Sequence, residues 1–533
     1  MKNAMNSVMQ AAPGFNKFNL THDVKLSCNM GWLVPCLVVP CAPGDRWRIG
    51  CEMLARLQAL LSPVMHRIDM RVEYFFSPDR LVWENQEVWI TNGGSDVTQV
   101  DPLPARPFIN FTGNGDPGVG ARWASWPLMD YMGLPNPTQC PNPDEFEKIQ
   151  VLPFAHYQKI WADYYRDENL QALEGAQPWL LQDGDNLVNA AALLTMRKRA
   201  WEADYFTKAL PFAQKGEPVD LPLTGFNDVL VFRNETTGQP PFTNIAVDPA
   251  TPELEVATLL GVGTPVADTL YAQTSELNNM SAATINDLRL AFRLQEWLEK
   301  NARGGTRYSE LIRAHFNVRP QDARLQRPEY IVGVKNPIQI SEVLNTTGTE
   351  ENPQGTMAGH GISYSQGNYG KYFCQEHGYI IGILSIMPKP AYQQGIEADW
   401  LKYTDPTELL WPTFGHLGEQ AIQNRELMAF RGDDPITGSQ GTFGYKPVYM
   451  EYKYMPNRVA GQFRTSLDFW HMGRIFDPSD PPNLNAAFVE ADPTTRIYAV
   501  EGTPENPIDH VLCQILHKLT VIRALPFYGT PTF

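Results

Sequence analysis

Short stretches of alternating apolar and charged residues, set far apart along the chain, constrain its fold more than any other feature. Over residues 67–76, every second side chain from Ile68 to Phe76 is apolar, and the residues between them are charged as far as Glu73. A period of two is typical of a β-strand with one buried face. The apolar run 378–387 fits a fully buried strand, and the alternation returns at 511–515.

Long connections rich in proline separate these strands. Proline accounts for 44 of 533 residues, about 8% against the usual ~5%, and 43% of the residues are apolar. Such a chain can bury a large core, and widely spaced strands with long loops favour a β-sandwich or a jelly roll. Two helices are also predicted. One begins at Pro153 and continues to Tyr164, and the other begins at Thr284 and stops at the glycine pair 304–305.

The sequence carries no signal for secretion or for a membrane. The first seven residues do not resemble a signal peptide, and no apolar run reaches the ~20 residues of a spanning helix. We therefore predict a soluble protein made in a reducing compartment, without membrane insertion. The seven cysteines are odd in number and lack the close pairing of a zinc site, so we interpret them as buried free thiols.

Charge is distributed unevenly along the chain. The formal net charge is −16, and the segment 226–283 holds seven acids and one base. Rich in Thr, Pro, Ala and Gly, this segment is typical of an excursion exposed to solvent. Eight arginines crowd residues 284–330, a density that suits ion pairs at interfaces or contacts with phosphate.

Two regions are candidates for contact with nucleic acid. Arg197, Lys198 and Arg199 are followed by Trp201, and such a cluster can contact phosphates and stack a base. The alternative is a solvated or subunit-facing helix end. Near the N-terminus, Lys2 and Lys17 could belong to an arm that faces nucleic acid, or to a poorly ordered terminus.

Motifs of enzymes are missing from the sequence. It contains no Walker, HExxH or GxSxG string, and its ten histidines are scattered. We predict no catalytic residue, no metal site and no cofactor. The alternative from another class is a carbohydrate-active β-sandwich protein, which would need two carboxylates beside a cleft lined with Trp or Tyr.

Several long strings resemble the major capsid protein of microviruses, small icosahedral phages with single-stranded DNA, and above all the gokushovirus branch. They follow one another in order and span most of the chain. These strings are 18–28, 63–67, 75–83, 157–170, 303–330, 377–381, 392–395, 417–421 and 466–471.

The resemblance implies an eight-stranded antiparallel jelly roll with long inter-strand loops and a few helices, forming one domain over 1–533. It implies a virion protein, assembled in the host bacterial cytoplasm through pentamers into a T=1 shell around a circular single-stranded DNA genome. The implied partners are other copies of the chain, the DNA, a small basic DNA-binding protein, an internal scaffolding protein, a DNA pilot protein and a host surface receptor.

The resemblance also gives roles to particular residues. The segment 226–283 lies where gokushoviruses carry a surface loop that protrudes at the threefold axes, and we expect it to contribute to host attachment. Its candidate residues are Asp248, Glu253, Glu255 and Asp268. The arginines predicted at contacts between subunits are Arg303, Arg307, Arg313, Arg324 and Arg327.

Overall fold

The protein is described from a computed structural model. The described residues are 14–91, 103–111, 126–135, 148–173, 177–216, 231–234, 245–247, 254–256, 270–273, 285–305, 307–319, 321–344, 357–367, 369–430, 440–500, 502 and 508–528.

Strands outnumber helices, as predicted. The strands are β1 (Asn16–Asn19), β2 (His22–Cys28), β3 (Val34–Cys41), β4 (Arg46–Leu57), β5 (Ile68–Pro78), β6 (Phe108–Asn110), β7 (Lys148–Gln150), β8 (Val231–Asn234), β9 (Ile245–Val247), β10 (Leu254–Val256), β11 (Leu270–Gln273), β12 (Glu329–Leu344), β13 (Met357–Gln366), β14 (Gly370–Phe373), β15 (Gly378–Pro388), β16 (Glu419–Gln423), β17 (Thr442–Pro447) and β18 (Val511–Arg523).

The α-helices are mostly short. They are α1 (Gln86–Thr91), α2 (Leu128–Tyr131), α3 (Leu152–Ile160), α4 (Ala190–Leu194), α5 (Ile285–Gly304), α6 (Tyr308–Phe316), α7 (Asn424–Leu427) and α8 (Ala486–Val489). Helix α3 continues into a π-helical turn at Trp161–Tyr165. Single 3-10 turns occupy Asp79–Leu81, Leu187–Asn189, Asp322–Leu325, Ala398–Leu401, Pro406–Glu408, Pro412–Phe414, Met450–Tyr452, Gly461–Arg464 and Asp468–Trp470.

Ten strands form one continuous antiparallel sheet, whose two halves we call the first sheet and the second sheet. The first sheet has the order β2-β18-β4-β13, and the second has the order β3-β15-β5-β12. Strand β1 extends the first sheet beside β18, and β14 pairs with β4. Neighbours in each sheet come from distant parts of the chain, and the chain crosses between the sheets repeatedly. This arrangement is a jelly roll, so the predicted fold class is confirmed.

One strand belongs to both sheets. The first part of β12, as far as Ile338, pairs with β5, and its last part, from Gln339 to Leu344, pairs with β13. The apolar faces of the two sheets share one core, in which Ile49, Val72 and Ile515 are fully buried. The alternation predicted for 67–76 and 511–515 therefore marks side chains that point into the sandwich.

Two further apolar clusters lie outside the sandwich. Helix α3 packs its buried face, which includes Phe154 and Tyr157, with Phe75 and Ile381 of the second sheet. The loops that follow β15 form a cluster with the segment around Phe206; we call it the loop cluster. Its buried apolar residues are Tyr205, Phe206, Ala209, Tyr392, Ile422, Leu427, Phe443, Phe488 and Val489.

The chain divides into two compact units. Unit 1 comprises Met1–Ala213 and Asn301–Phe533, and unit 2 comprises Gln214–Lys300. In unit 2, β8 pairs with β11 and β9 with β10, and the backbone N–H of Lys215 donates to the carbonyl of Leu298 in α5. The predicted loop 226–283 falls within unit 2, and most of its residues lie outside the described ones.

Candidate functional site

The basic cluster predicted at 197–199 is anchored to the start of the sandwich. The N–H of Leu33 donates to the carbonyl of Arg197, and the N–H of Arg199 donates to the carbonyl of Gly31. The half-buried Arg197 donates to Gln158 at 2.8 Å and covers the ring of Trp161 at 4.2 Å. Burial lowers the pKa of this guanidinium.

The other members of the cluster also have partners inside the subunit. Arg199 contacts Glu73 at 3.2 Å and Ser385 at 2.6 Å, and Lys198 contacts the exposed Asp492 at 2.7 Å. Trp201 is only 6% exposed, so its ring offers little surface to a nucleic-acid base in this subunit. Packing thus accounts for Arg197, Arg199 and Trp201, and a DNA-facing role for the cluster stays a prediction.

The two N-terminal lysines differ in what the structure shows. Lys2 lies outside the described residues. Lys17 is exposed in β1, where it pairs in register with Ile522 of β18 and lines a shallow groove that also contains Arg46 and Lys371. The structure therefore places Lys17 with basic residues that sequence reasoning did not select.

Three of the five predicted interface arginines contact groups within unit 1. Arg303 binds both carboxylate oxygens of Glu419. Arg307 precedes α6, contacts Glu168 at 3.2 Å and donates to the carbonyl of Arg166 at 2.8 Å. Arg327 donates to Asp322 at 2.6 Å and covers the ring of Tyr164 at 5.3 Å. These contacts fix loops around the sandwich.

Arg313 and Arg324 differ from these three. Both are exposed, and within the described part of the chain neither has an ion-pair partner. An exposed guanidinium with free donors can bind a carboxylate of another molecule. Of the predicted attachment residues, Asp248, Glu253 and Asp268 lie outside the described residues; Glu255 lies in β10, and its side chain is not described.

A Ser–His–Asp arrangement lies where α3 meets the second sheet. His156 Nδ1 is 2.8 Å from Ser77 Oγ, and His156 Nε2 is 3.0 Å from Asp79 Oδ1. Ser77 and His156 are fully buried, and Asp79 is nearly so. A nucleophile needs access to its substrate, so this arrangement serves to satisfy buried polar groups. His156 lies 79 and 77 positions after Ser77 and Asp79, and no spacing in the sequence predicts their contact.

The loop cluster contains a second buried polar network. Lys446 contacts Glu426 at 3.3 Å and Glu451 at 3.2 Å, and Lys402 contacts Glu451 at 2.7 Å. Tyr205 donates to Glu426 at 2.6 Å and accepts a hydrogen bond from Lys446. Burial raises the pKa of Tyr205, which keeps the phenol protonated as a donor. The four charges compensate one another away from water.

A shallow groove of about 610 Å³ lies over the loop cluster. Large apolar side chains on its rim stay exposed, including Trp400 at 76% and Met455 at 82%. Among the described residues, no group of three or more metal-ligating side chains occurs, and no helix is long and apolar enough to cross a membrane.

Comparison with known proteins identifies the family of this chain. A family described as capsid protein (F protein) matches residues 8–533. The chain belongs to this capsid protein family.

Three individual relatives are also capsid proteins. The capsid protein VP1 of Bdellovibrio phage phiMH2K is 34% identical and covers 97% of this chain and 95% of its own length. The capsid protein VP1 of Chlamydia phage 1 is 31% identical and covers 100% of this chain and 98% of its own length. That of Spiroplasma virus 4 is 29% identical, with 97% and 95% covered. The microvirus family predicted from the strings is confirmed.

Membership in the family settles the class of protein. A capsid protein is a structural component of the virion, not an enzyme, and the carbohydrate-active alternative does not apply. Sequence reasoning missed three basic residues that share the surface of Lys17, namely Arg46, Arg48 and Lys371. Arg46 and Arg48 alternate with Trp47 and Ile49, which is the period of a strand with one exposed basic face.

Proposed function

We propose that this capsid protein is the main subunit of a T=1 icosahedral shell, assembled through pentamers around a circular single-stranded DNA genome. The family match over nearly the whole chain supports a subunit that supplies the shell by itself. A jelly roll with long loops provides a rigid body, and its loops can form the contacts between copies.

The exposed rim of the groove over the loop cluster is the observation that carries the proposal. On this rim, Trp400 and Met455 each expose about three quarters or more of their surface. Monomers rarely leave many large apolar side chains open, whereas aromatic residues and Met are enriched at interfaces between proteins. In the shell this rim is covered by a neighbouring copy.

Arginines supply a second set of contacts between subunits. Arg313 and Arg324 are exposed without an ion pair in the described part of the chain, so their donors are available to a carboxylate of a neighbour. Arg303, Arg307 and Arg327 contribute indirectly. Their contacts within the subunit fix the loops around the sandwich.

The packaged DNA needs more positive charge than this chain provides. Its net charge of −16 repels the phosphates of a genome, which supports a small basic DNA-binding protein as an additional partner. We assign contacts with DNA to Lys2, Lys17 and the 197–199 cluster. An internal scaffolding protein and a DNA pilot protein would complete assembly in the bacterial cytoplasm.

Host attachment belongs to the segment 226–283. Its seven acids and one base give this segment a net charge of −6, which suits an outward-facing loop remote from the DNA. Deletion of 226–283 should leave a subunit that folds and assembles but does not adsorb to the host. Normal adsorption of the deleted particle would refute this role.

The experiment for the shell itself is sedimentation of the protein from producing cells, with nuclease-resistant DNA measured in each fraction. We expect one fast, uniform peak that contains protein and circular single-stranded DNA. Electron microscopy of that peak should show T=1 symmetry. A slow peak, even when scaffolding protein is co-expressed, would contradict the proposal. The double variant Trp400→Ser, Met455→Ser removes two exposed apolar side chains from the rim. It should stop assembly of the shell at a small intermediate.

A further inference from the structure

The outer face of the first sheet has a composition unlike the rest of the chain. Side chains on paired strands share a face when they lie opposite each other or two residues apart. In β4 the residues from Arg46 to Arg56 with even numbers point outward, while Trp47, Ile49 and the other odd-numbered residues are buried in the core. The strand register extends this outer face across β1, β2, β18 and β14.

Two rows across the sheet bring basic residues together from distant parts of the chain. Lys17, Ile522, Arg46 and Phe373 lie opposite one another in the first row. In the second row, Arg48 lies between Thr520 and Lys371. Lys17 and Lys371 are more than 300 residues apart in sequence, so only the fold assembles this set.

Positive charge dominates the five strands of this face. Seven basic and two acidic side chains point outward, which gives a net charge of +5 in a protein whose total is −16. The seven basic residues are Lys17, Lys25, Arg46, Arg48, Arg56, Lys371 and Lys518, and the two acidic residues are Asp23 and Glu52. Glu52 is already bound by Lys518.

The lining of the groove on this face contains no carboxylate. The groove has a volume of about 670 Å³, and its four cations are Lys17, Arg46, Arg48 and Lys371. All four are exposed, and none of them forms an ion pair with a described residue of the subunit. Cations that lie close together without counter-charges repel one another. Binding of an anion here relieves this repulsion and is therefore electrostatically favourable.

Exposed aromatic rings alternate with these cations. The guanidinium of Arg46 lies 6.0 Å from the ring centres of both Phe15 and Phe373, and that of Arg48 lies 4.4 Å from the ring centre of Tyr369. The three rings expose between 42% and 58% of their surface. Cations that follow a phosphate backbone, beside rings on which bases stack, are the combination that binds single strands without sequence preference.

We propose that this outer face, centred on Arg46, Arg48, Lys371 and Phe373, binds the single-stranded DNA inside the shell. The inference rests on the proposed packaging of such DNA and names the surface that holds it. It adds residues that the prediction of Lys17 alone did not include. Arg197 and Arg199 already have partners in the subunit, so the contacts with DNA assigned to the 197–199 cluster are secondary to those of this face.

An acidic segment of another protein is the competing occupant. Carboxylates would satisfy the cations, but they would leave Phe15, Tyr369 and Phe373 without a specific partner. Single-stranded DNA uses both features, because its bases stack on rings while its phosphates bind the cations. The observations therefore favour DNA.

The test compares the full-length protein with the triple variant Arg46→Gln, Arg48→Gln, Lys371→Gln. The matched control removes three exposed positive charges elsewhere, in Lys208→Gln, Arg289→Gln, Lys300→Gln. Binding of an oligothymidylate is measured by fluorescence anisotropy over a range of salt concentrations. Each lost phosphate contact lowers the slope of log affinity against log salt by about 0.7, so the triple variant should lose about 2 and the control none.

A second variant separates stacking from charge. Phe373→Ala should weaken binding about tenfold at every salt concentration and leave the slope unchanged. In purified particles, ultraviolet crosslinking and mass spectrometry should attach nucleotides to peptides containing Phe15, Tyr369 or Phe373.

The outcomes distinguish this surface from the proposed function. Particles that contain DNA but crosslink only elsewhere, or a triple variant with the wild-type salt slope, would overturn the surface and leave packaging intact. Particles without single-stranded DNA would overturn the proposed packaging. A triple variant that binds the oligonucleotide normally but fails to assemble would assign this face to an acidic protein partner.

Discussion

The sandwich and the loop cluster, both in unit 1, bury their side chains by different means. In the sandwich, Ile49, Val72 and Ile515 meet across two sheets whose backbone groups pair within long ladders. In the loop cluster, short elements surround Lys446, Glu426 and Glu451, whose charges are buried together with aromatic rings. The loop cluster has only the short ladder between β16 and β17, and the buried ionic network supplies further specific partners.

Because of this difference, the two regions should respond differently to substitutions. Removal of a methyl group from the sandwich leaves a small cavity, whereas removal of one partner from the network leaves a buried charge without compensation. The proposed contact between subunits depends on the loop cluster, because the groove with Trp400 and Met455 lies over it. We therefore expect substitutions in the sandwich core to cost less stability than the loss of one charge from the network under the proposed contact.

The largest effect should come from Lys446→Met. This change leaves Glu426 and Glu451 buried without one of their cations, and we expect a loss of about 3–5 kcal/mol in the free energy of unfolding. Urea unfolding of the purified subunit measures the loss. Lys208→Met removes an exposed lysine and should change stability by less than about 0.5 kcal/mol. Equal losses in the two variants would contradict the special role of the network.

The next effect depends on pH and concerns the sandwich. Burial and the nearby His22 lower the pKa of His517 to about 4, while Tyr74 donates to its Nδ1. The unfolded chain binds the proton at an ordinary pKa of about 6.5, so stability is lost as the pH falls from about 6.5 to 4. The loss from this residue should approach about 3 kcal/mol.

His517→Gln isolates this contribution, because the amide does not titrate. Urea unfolding between pH 7 and pH 4 should depend less on pH in the variant than in the wild type. In the loop cluster, burial opposes ionisation of Glu451, but Lys402 and Lys446 lower its pKa overall. Its contribution is therefore present above the ordinary pKa of a glutamate and is lost at lower pH than that of His517. Identical pH profiles for His517→Gln and wild type would refute the assignment.

A smaller loss should follow from Ile515→Val. The residue is fully buried in β18, and one missing methylene costs about 0.5–1.5 kcal/mol in a core. Ile522→Val on the same strand is the control, because Ile522 is 36% exposed. A loss for Ile515→Val as large as that for Lys446→Met would remove the contrast between the two regions.

The smallest effect on stability should come from Arg313→Gln with Arg324→Gln. Both side chains are exposed, so the free energy of unfolding should change by less than about 0.5 kcal/mol. Shell yield, measured by sedimentation, should nevertheless fall several-fold relative to Lys208→Gln. Unchanged yield would remove these two arginines from the contacts between subunits.

Local patterns predicted the parts of the fold that are determined locally. The alternation at 67–76 corresponds to β5, the run at 378–387 corresponds to β15, and the glycine pair 304–305 marks the end of α5. Strand β3 was not predicted, because prolines interrupt it at positions 35 and 40. Proline is compatible with β3 because that strand lies at the edge of its sheet.

Contacts between distant residues could not be predicted from one sequence. His156 meets Ser77 and Asp79 only because α3 lies against the second sheet. The network around Lys446 likewise depends on loops that pack together although they are distant in sequence, and no periodic pattern predicts that packing. Of the basic outer face, Arg46 and Arg48 could be read from their alternation, but the position of Lys371 beside them follows from strand pairing alone.

The position of β18 has a consequence for synthesis. This strand lies between β2 and β4, yet it is made about 450 residues after them. At 5–20 residues per second, a ribosome needs roughly 20 to 90 seconds to reach it. Until then the two early strands have unpaired edges, and nascent chains must be kept apart. A chain terminated early lacks β18, so β2 and β4 cannot be joined and the first sheet stays incomplete.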